Sequence, residues 1–308
     1  MRIALLVPNT DPAQTYSRDL AAALIAASHD VFAPALDDPC DVLAMLPQDA
    51  FPVVGITALP GYAAREQDTA RKAAALVADA ALPETVRPLL SQVACVIATR
   101  EPVAKHVAAA CSVPTARIHA VEPGTPDFCR SDGPLAAGPC QVLALAATRA
   151  GIETVLHALG RLPDLDWTAT ILLATAGLDT PCLATRAATL SIAERTRFTA
   201  SDAEPPWQSA GVCVLADDET VCGRLAEALR RGLPVAVAAD AARADRVPAA
   251  VGVMAAAGDH ASLSKALRRI IFDRDVRLSM ANAAWTHGRT LPDWNTQARL
   301  FVSLLEQA

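Results

Sequence analysis

The chain has 308 residues, of which 52% are hydrophobic, 19% charged and only 4% aromatic, with a formal net charge of −6 at pH 7. That length suits two domains of ordinary size, each with enough apolar material for its own core. Few aromatic rings and an acidic balance exclude nucleic acid as a partner, which calls for stacking surfaces and a basic footprint.

The opening MRIALLVPNTDP holds an apolar run too short for a signal-peptide core or a membrane span, and it ends at Pro8. Residues 3–7 read as a first β-strand. Further strands are expected at 31–33, 42–46, 53–57, 95–98 and 118–121, with helices at 16–27, 63–80 and 102–110. Strands apolar on both faces, alternating with amphipathic helices, predict a parallel sheet covered by helices. Asp11 or Thr15 is expected to cap the first helix. His29, in ASHDV, fits a helix-to-strand turn. Residues 122–139, EPGTPDFCRSDGPLAAGP, are dense in Pro, Gly, Ser and Asp and lack an apolar period, which predicts an interdomain linker.

The alternation then restarts. Strand 142–146 leads to helix 152–161, strand 170–174, a helix around 184–193, strand 197–199 and a short helical piece near Trp207. Strand 212–215 follows, then a helix ending at Gly232, strand 235–238, and helices 260–272, 274–287 and 293–307. The predicted organisation is an N-terminal α/β domain over 1–121, a linker over 122–139, and a second α/β domain over 140–291. A terminal helix, 292–308, returns to the first. Doubly wound domains bind ligands outside the carboxyl ends of their strands, where strand order reverses, so two facing each other would make a cleft.

The eight cysteines (40, 95, 111, 129, 140, 182, 213 and 222) show no CxxC spacing. Without a secretion signal they are expected to be free, buried thiols, and the protein cytoplasmic. The histidines have no metal-ligand spacing, and neither HExxH nor an EF-hand occurs, so no metal is expected. The absence of GxSxG, GxGxxG and GxxxxGK[ST] disfavours a serine hydrolase, a nicotinamide dehydrogenase and a P-loop enzyme.

Residues 217–238 read DDETVCGRLAEALRRGLPVAVA, with Glu219 eight positions before Glu227. Spacing alone leaves two readings open: a ligand-handling pair, or Glu219 opposing a helix dipole with Glu227 on a solvated face. Arg224, Arg230 and Arg231 likewise read as a solvated face or as phosphate contacts. The flanking text AEALRRGLPVAVA resembles the AEAL-x-x-GLPVVA of family 4 retaining glycosyltransferases, in which Gly232 would stop the helix and Pro234 open the next strand. Residues 96–126 are similar to the end of that family's acceptor domain, and 151–167 to the first helix of its donor domain. Residues 250–270 and the ending LPDWNTQARLFVSLLE also fit, so the resemblance runs from about residue 94 onward.

The resemblance implies a GT-B fold: two doubly wound, Rossmann-like domains facing a cleft. It implies transfer of a hexose from a nucleotide sugar to an unknown acceptor, with retention, without metal ion or cofactor. Glu219 would face the donor sugar and Glu227 the ribose, as carboxylates accepting from hydroxyls. Arg149 would serve the diphosphate, and Cys222, Gly223 and Arg224 would border the donor. The chain departs from the family pattern in four places. Ala150 stands where a lysine is expected, a loss worth about 1.5–3 kcal/mol of charge-assisted contact. Glu219-Thr220-Val221-Cys222 replaces Glu-Gly-Phe-Gly. No Gly-Gly pair follows the first strand, and PVVGITALPG lacks a histidine. Two functions therefore stand: an active hexosyltransferase, or a catalytically degenerate GT-B relative that binds a nucleotide or serves as a partner subunit of an intact transferase. Any membrane contact would be peripheral, through an arginine-bearing helix such as residues 65–72.

Overall fold

The computed structural model describes residues 1–9, 13–34, 49–65, 73–78, 81–173, 179–200, 204–240 and 247–308, except for the side chains of 218–223. The chain divides into two compact units, Met1–Pro126 with Pro292–Ala308, and Asp127–Leu291.

In the first unit six parallel strands, β1 (Arg2–Leu6), β2 (Asp30–Phe32), β3 (Phe51–Gly55), β4 (Ala74–Val77), β5 (Cys95–Ala98) and β6 (Ile118–Ala120), lie in the order β2-β1-β3-β4-β5-β6. Helices α1 (Gln14–Ala26), α2 (Leu59–Arg65), α3 (Arg87–Leu90) and α4 (Glu101–Ala110) cover them. The two-residue period of a strand separates its core contacts. Ile3 and Leu5 point to one layer with Leu20 and Leu24 of α1, while Ala4 and Leu6 point to the other with Leu59 and Val107. His29 sits in the turn from α1 to β2, beside Ser28 in the left-handed region (φ 66°).

Two expectations for this unit are corrected. Residues 63–80 do not form one helix: α2 ends at Arg65, and Ala74–Val77 is a central strand, buried throughout, pairing with β3 and β5. Its alanines favour helix, but a short segment between two strands is covered on both faces and shows no amphipathic period. Thr15 does not hold the cap position of α1: Ala13 does, with no capping side chain of its own, and Thr15 lies within the helix. The strand expected at 42–46, Asp11, and most of the 65–72 segment lie outside the described residues.

The C-terminal helix, Trp294–Gln307, belongs to this first unit. Phe301 and Leu305 enter the same core as Leu20 and Leu24, and the Trp294 and Tyr16 rings meet at 5.5 Å. Gly124 is required for the chain to cross here, because a Cβ on it would stand 2.4 Å from the Trp294 backbone.

The second unit holds β7 (Cys140–Ala146), β8 (Trp167–Leu173), β9 (Thr196–Thr199), β10 (Val212–Leu215), β11 (Val235–Ala238) and β12 (Gly252–Ala255), all parallel, in the order β12-β11-β10-β7-β8-β9. Its helices are α5 (Arg149–Gly160), α6 (Thr180–Thr189), α7 (Asp218–Arg230), α8 (His260–Phe272) and α9 (Arg274–Gly288), and the C-terminal helix of the first unit becomes α10. Trp167, fully buried, donates its indole N–H to the Leu162 carbonyl (2.8 Å) and carries the Arg195 guanidinium over its ring at 4.0 Å. Gly232 adopts φ 67° and ends α7 with Gly232 N–H on Leu229 O and Leu233 N–H on Ala228 O, as expected of a glycine just past a helix.

Strand β12 was not expected. It lies in a small-residue stretch, and Gly252 permits a backbone approach in which a Cβ would meet Val235 O at 2.3 Å. α6 starts at Thr180 rather than near 184, because Asp179 caps it by accepting from the Cys182 N–H. Near Trp207 the chain makes a turn instead of a helix. Within the stretch expected as a linker, Pro126 closes one unit and Asp127 opens the other. Ser131 is buried in the second unit, with its hydroxyl shared between the carbonyls of Gln208 and Ala210 at 3.0 and 2.9 Å.

Candidate functional site

Strand order in the second unit reverses between β7 and β10. From β7 the chain moves outward through β8 and β9, and from β10 the opposite way through β11 and β12. The carboxyl ends of these two strands lead into α5 and α7, the position where ligands meet such sheets. Asp217, immediately after β10, fastens the two ends together. Its Oδ2 accepts from the backbone N–H groups of Ala147 (2.7 Å) and Thr148 (2.9 Å) and lies 3.3 Å from Thr148 Oγ1. Thr148 is also the N-cap of α5, its Oγ1 accepting from the Gly151 N–H at 3.1 Å.

Gly151 is what lets the two loops close on each other. A Cβ there would stand 2.9 Å from both Ala216 O and Asp217 Oδ2. Gly151→Ala is therefore expected to cost about 1–3 kcal/mol through forced displacement of the loops. Denaturant titration checks this, and a variant as stable as the parent would mean that the junction yields freely.

Arg149 opens α5. Its Nε donates to Glu153 Oε1 at 2.9 Å, Nη2 lies 3.4 Å from Cys182 Sγ, and the side chain is 62% exposed. The Glu153 hydrogen bond raises the pKa of a guanidinium that is already permanently charged. Ala150 follows with no charge to offer. Glu219, Cys222 and Gly223 fall in the first turns of α7, which begins at Asp218; their side chains lie outside the described residues. The strand order and the Asp217 clasp thus place Arg149 and the Glu219 backbone at the starts of the two helices flanking the reversal.

Glu227 and Arg224 lie further along α7. Glu227 Oε2 accepts from Arg224 Nη1 at 2.9 Å, and Oε1 from Arg231 Nη2 at 3.1 Å. Only 14% of the Glu227 side chain is exposed, so the solvated-face reading is corrected. Arg231 is equally covered and stacks on Phe128 (4.1 Å) and Trp207 (5.3 Å). Arg230 is buried, donating to Asp127 Oδ1 and to the Leu291 carbonyl, both at 2.6 Å. One arginine of α7 thus holds the first and last residues of the unit. These arginines are structural because segments distant in sequence, 127–128, 207 and 291, fold over them.

Asp217 is the site residue that sequence reasoning missed. The available signal was an acid directly after the buried run VCVL, at the strand end where order reverses.

Among the described residues no three His, Cys, Asp or Glu side chains converge to hold a metal ion, and no helix is long and apolar enough to cross a membrane. The six described cysteines are free. Burial pushes the Cys95 and Cys140 thiols up to about 11 and Cys213 higher still, while Cys129 is exposed and Cys182 half-buried. A cavity of about 680 Å³ lined by Cys140, Asp166, Arg268 and Phe272 opens at the amino ends of β7 and β8, away from the reversal.

No protein-family model matches the sequence, and no curated protein matches it. Solved structures do share its architecture, and they define the class: two Rossmann-like domains, each a six-stranded parallel sheet with flanking helices, of the GT-B type. Among them is HepE of Anabaena, solved with UDP, at 16% identity over 100% of both chains and a TM-score of 0.77. A glycosyltransferase from Rickettsia africae is 12% identical over 99% of this chain and 98% of its own, with a TM-score of 0.76. Sucrose-phosphate synthase of Thermosynechococcus elongatus is 17% identical over 100% and 98%, with a TM-score of 0.72. At such identities the likeness establishes the fold.

Proposed function

We propose that the protein is a glycosyltransferase of the family 4 type, which moves a hexose from a nucleotide sugar to an acceptor with retention of configuration. The observation that carries this reading is the clasped reversal between β7 and β10, with Arg149 and Glu219 at the starts of the helices on either side. The neighbouring structures support it: HepE has been solved with UDP, with UDP-glucose, and with UDP and glucose.

In this reading the second unit binds the donor and the first recognises the acceptor. Glu219 accepts hydrogen bonds from sugar hydroxyls. Glu227, fixed by Arg224 and Arg231, presents its remaining acceptor capacity to the ribose. Cys222 and Gly223 border the donor in the first turns of α7. Arg149 stabilises the charge that builds on the departing diphosphate, where electrostatic preorganisation contributes most to rate. No metal or cofactor is assigned a role.

The test is a panel of UDP-, GDP- and ADP-sugars read by thermal unfolding and by donor hydrolysis. A true donor at one hundred times its Kd raises stability by about 2.7 kcal/mol. Glu219→Ala is expected to lower turnover about 10²–10³-fold, on the scale of losing one transition-state contact. No shift with any donor at millimolar concentration rejects the proposal. A shift without turnover, indifferent to Glu219→Ala, identifies a nucleotide-binding protein that no longer transfers sugar.

A further inference from the structure

The clasp at the strand reversal bears on which part of a donor the site recognises, and the inference rests on the glycosyltransferase reading above. In a doubly wound domain the phosphates of a bound nucleotide meet N–H groups at the start of the helix after the first strand, where the helix dipole also favours negative charge. That helix is α5 here, and three of the amides around its entry are already engaged. The N–H groups of Ala147 and Thr148 both donate to Asp217 Oδ2, and that of Gly151 donates to Thr148 Oγ1. The group on those donors is itself a carboxylate, so the protein supplies internally the anion that a ligand would otherwise bring.

Two further observations point the same way. Gly151 leaves no slack at the junction, since even a Cβ would meet Asp217 Oδ2 at 2.9 Å. The cation at this entry, Arg149, is paired with Glu153, and its neighbour Ala150 is neutral. A diphosphate reaching the Ala147 and Thr148 amides would have to displace a charge-assisted interaction and then remain beside the displaced carboxylate.

We propose that Asp217 makes this donor site discriminate against phosphate charge, so that affinity resides in the nucleoside and sugar hydroxyls and little of it in the diphosphate. Asp217 is a specificity-determining residue for the donor. The ligand class that suits the site is one recognised mainly through its nucleoside, with phosphates held off the Ala147 and Thr148 amides, within reach of Arg149 alone at this entry.

Calorimetric titration of the full chain with uridine, UMP and UDP tests this, using the guanosine or adenosine series instead if the donor panel selects that base. The parent protein is expected to bind UDP less than about tenfold more tightly than uridine, and Asp217→Asn to tighten UDP about tenfold while leaving uridine within about twofold. The asparagine amide oxygen still accepts from the Ala147 and Thr148 N–H groups, so the loop pairing is retained without the charge. Asp217→Ser offers a smaller neutral acceptor as a second variant, and melting temperatures establish that both are folded. A parent that binds UDP more than about tenfold tighter than uridine overturns the proposal, as does UDP binding that neither neutral variant tightens. Those results leave the glycosyltransferase reading intact. Failure of every nucleoside, nucleotide and nucleotide sugar to bind rejects both.

Discussion

Phe301→Ala is expected to destabilise the first unit by about 3–5 kcal/mol, the range for removing a fully buried aromatic side chain. Phe301 is completely buried, although it comes from the chain's last helix, and it packs in one cluster with Ile3, Leu5, Leu20, Leu24 and Leu305. Its truncation would leave a hole bounded by β1, α1 and α10, elements drawn from opposite ends of the sequence. The fixed backbones of a parallel sheet and two helices cannot collapse to fill it. Differential scanning calorimetry checks the expectation, with Phe272→Ala as the control. Phe272 is 79% exposed at the end of α8, so its loss should change stability by no more than about 0.5 kcal/mol. If Phe301→Ala costs less than about 1 kcal/mol, α10 is not part of the first core.

Arg277→Ala is expected to cost about 3 kcal/mol or more in the second unit, by summing unmet carbonyls at about 1–3 kcal/mol each. Arg277 lies on α9, is only 6% exposed, and directs Nη1 at the carbonyls of Ile270 (2.9 Å) and Ile271 (3.0 Å) in the last turn of α8. Those carbonyls have no partner within their own helix. Nε reaches the Pro134 carbonyl at a long 3.5 Å, adding a weaker tie to the segment before β7. Alanine leaves these acceptors buried without a donor. Lysine restores the charge but not the planar fork, so Arg277→Lys is expected to fall between the two. Arginine and carbonyl groups do not change charge over the ordinary range, so the loss should be the same at pH 6 and pH 9. A loss that changes strongly with pH would show that some other group carries the effect.

Most of the fold was legible because its strands are short, apolar on both faces, and separated by helices with one apolar side. RIALL, CVIA, VCVL and VAVA read as buried parallel strands without help from the rest of the chain. AALV and GVMA did not, because alanine and glycine carry little strand preference of their own. They are strands because β3 and β5, and β11, present hydrogen-bonding edges to them. Gly232 could be read as a helix stop from local geometry alone, and it is one.

The site divides along the same line. The pattern of Glu219, Glu227, Gly232 and Pro234 is contained in one stretch of chain, so the resemblance could find it. Asp217 acquires its partners only when β7 and β10 become neighbours, bringing Ala147 and Thr148 to it across about seventy residues. Glu227, Arg230 and Arg231 looked like a solvated helix face because their covers, Phe128, Trp207 and Leu291, are remote in the sequence.

By itself the sequence determined two doubly wound α/β units and the helix that bears the paired glutamates, since both rest on local apolar period and on where a helix must stop. Only the tertiary structure decided that a carboxylate occupies the Ala147 and Thr148 amides before α5 and that Arg230 and Arg231 are locked inside, because hydrogen bonds and burial depend on which distant segments lie side by side.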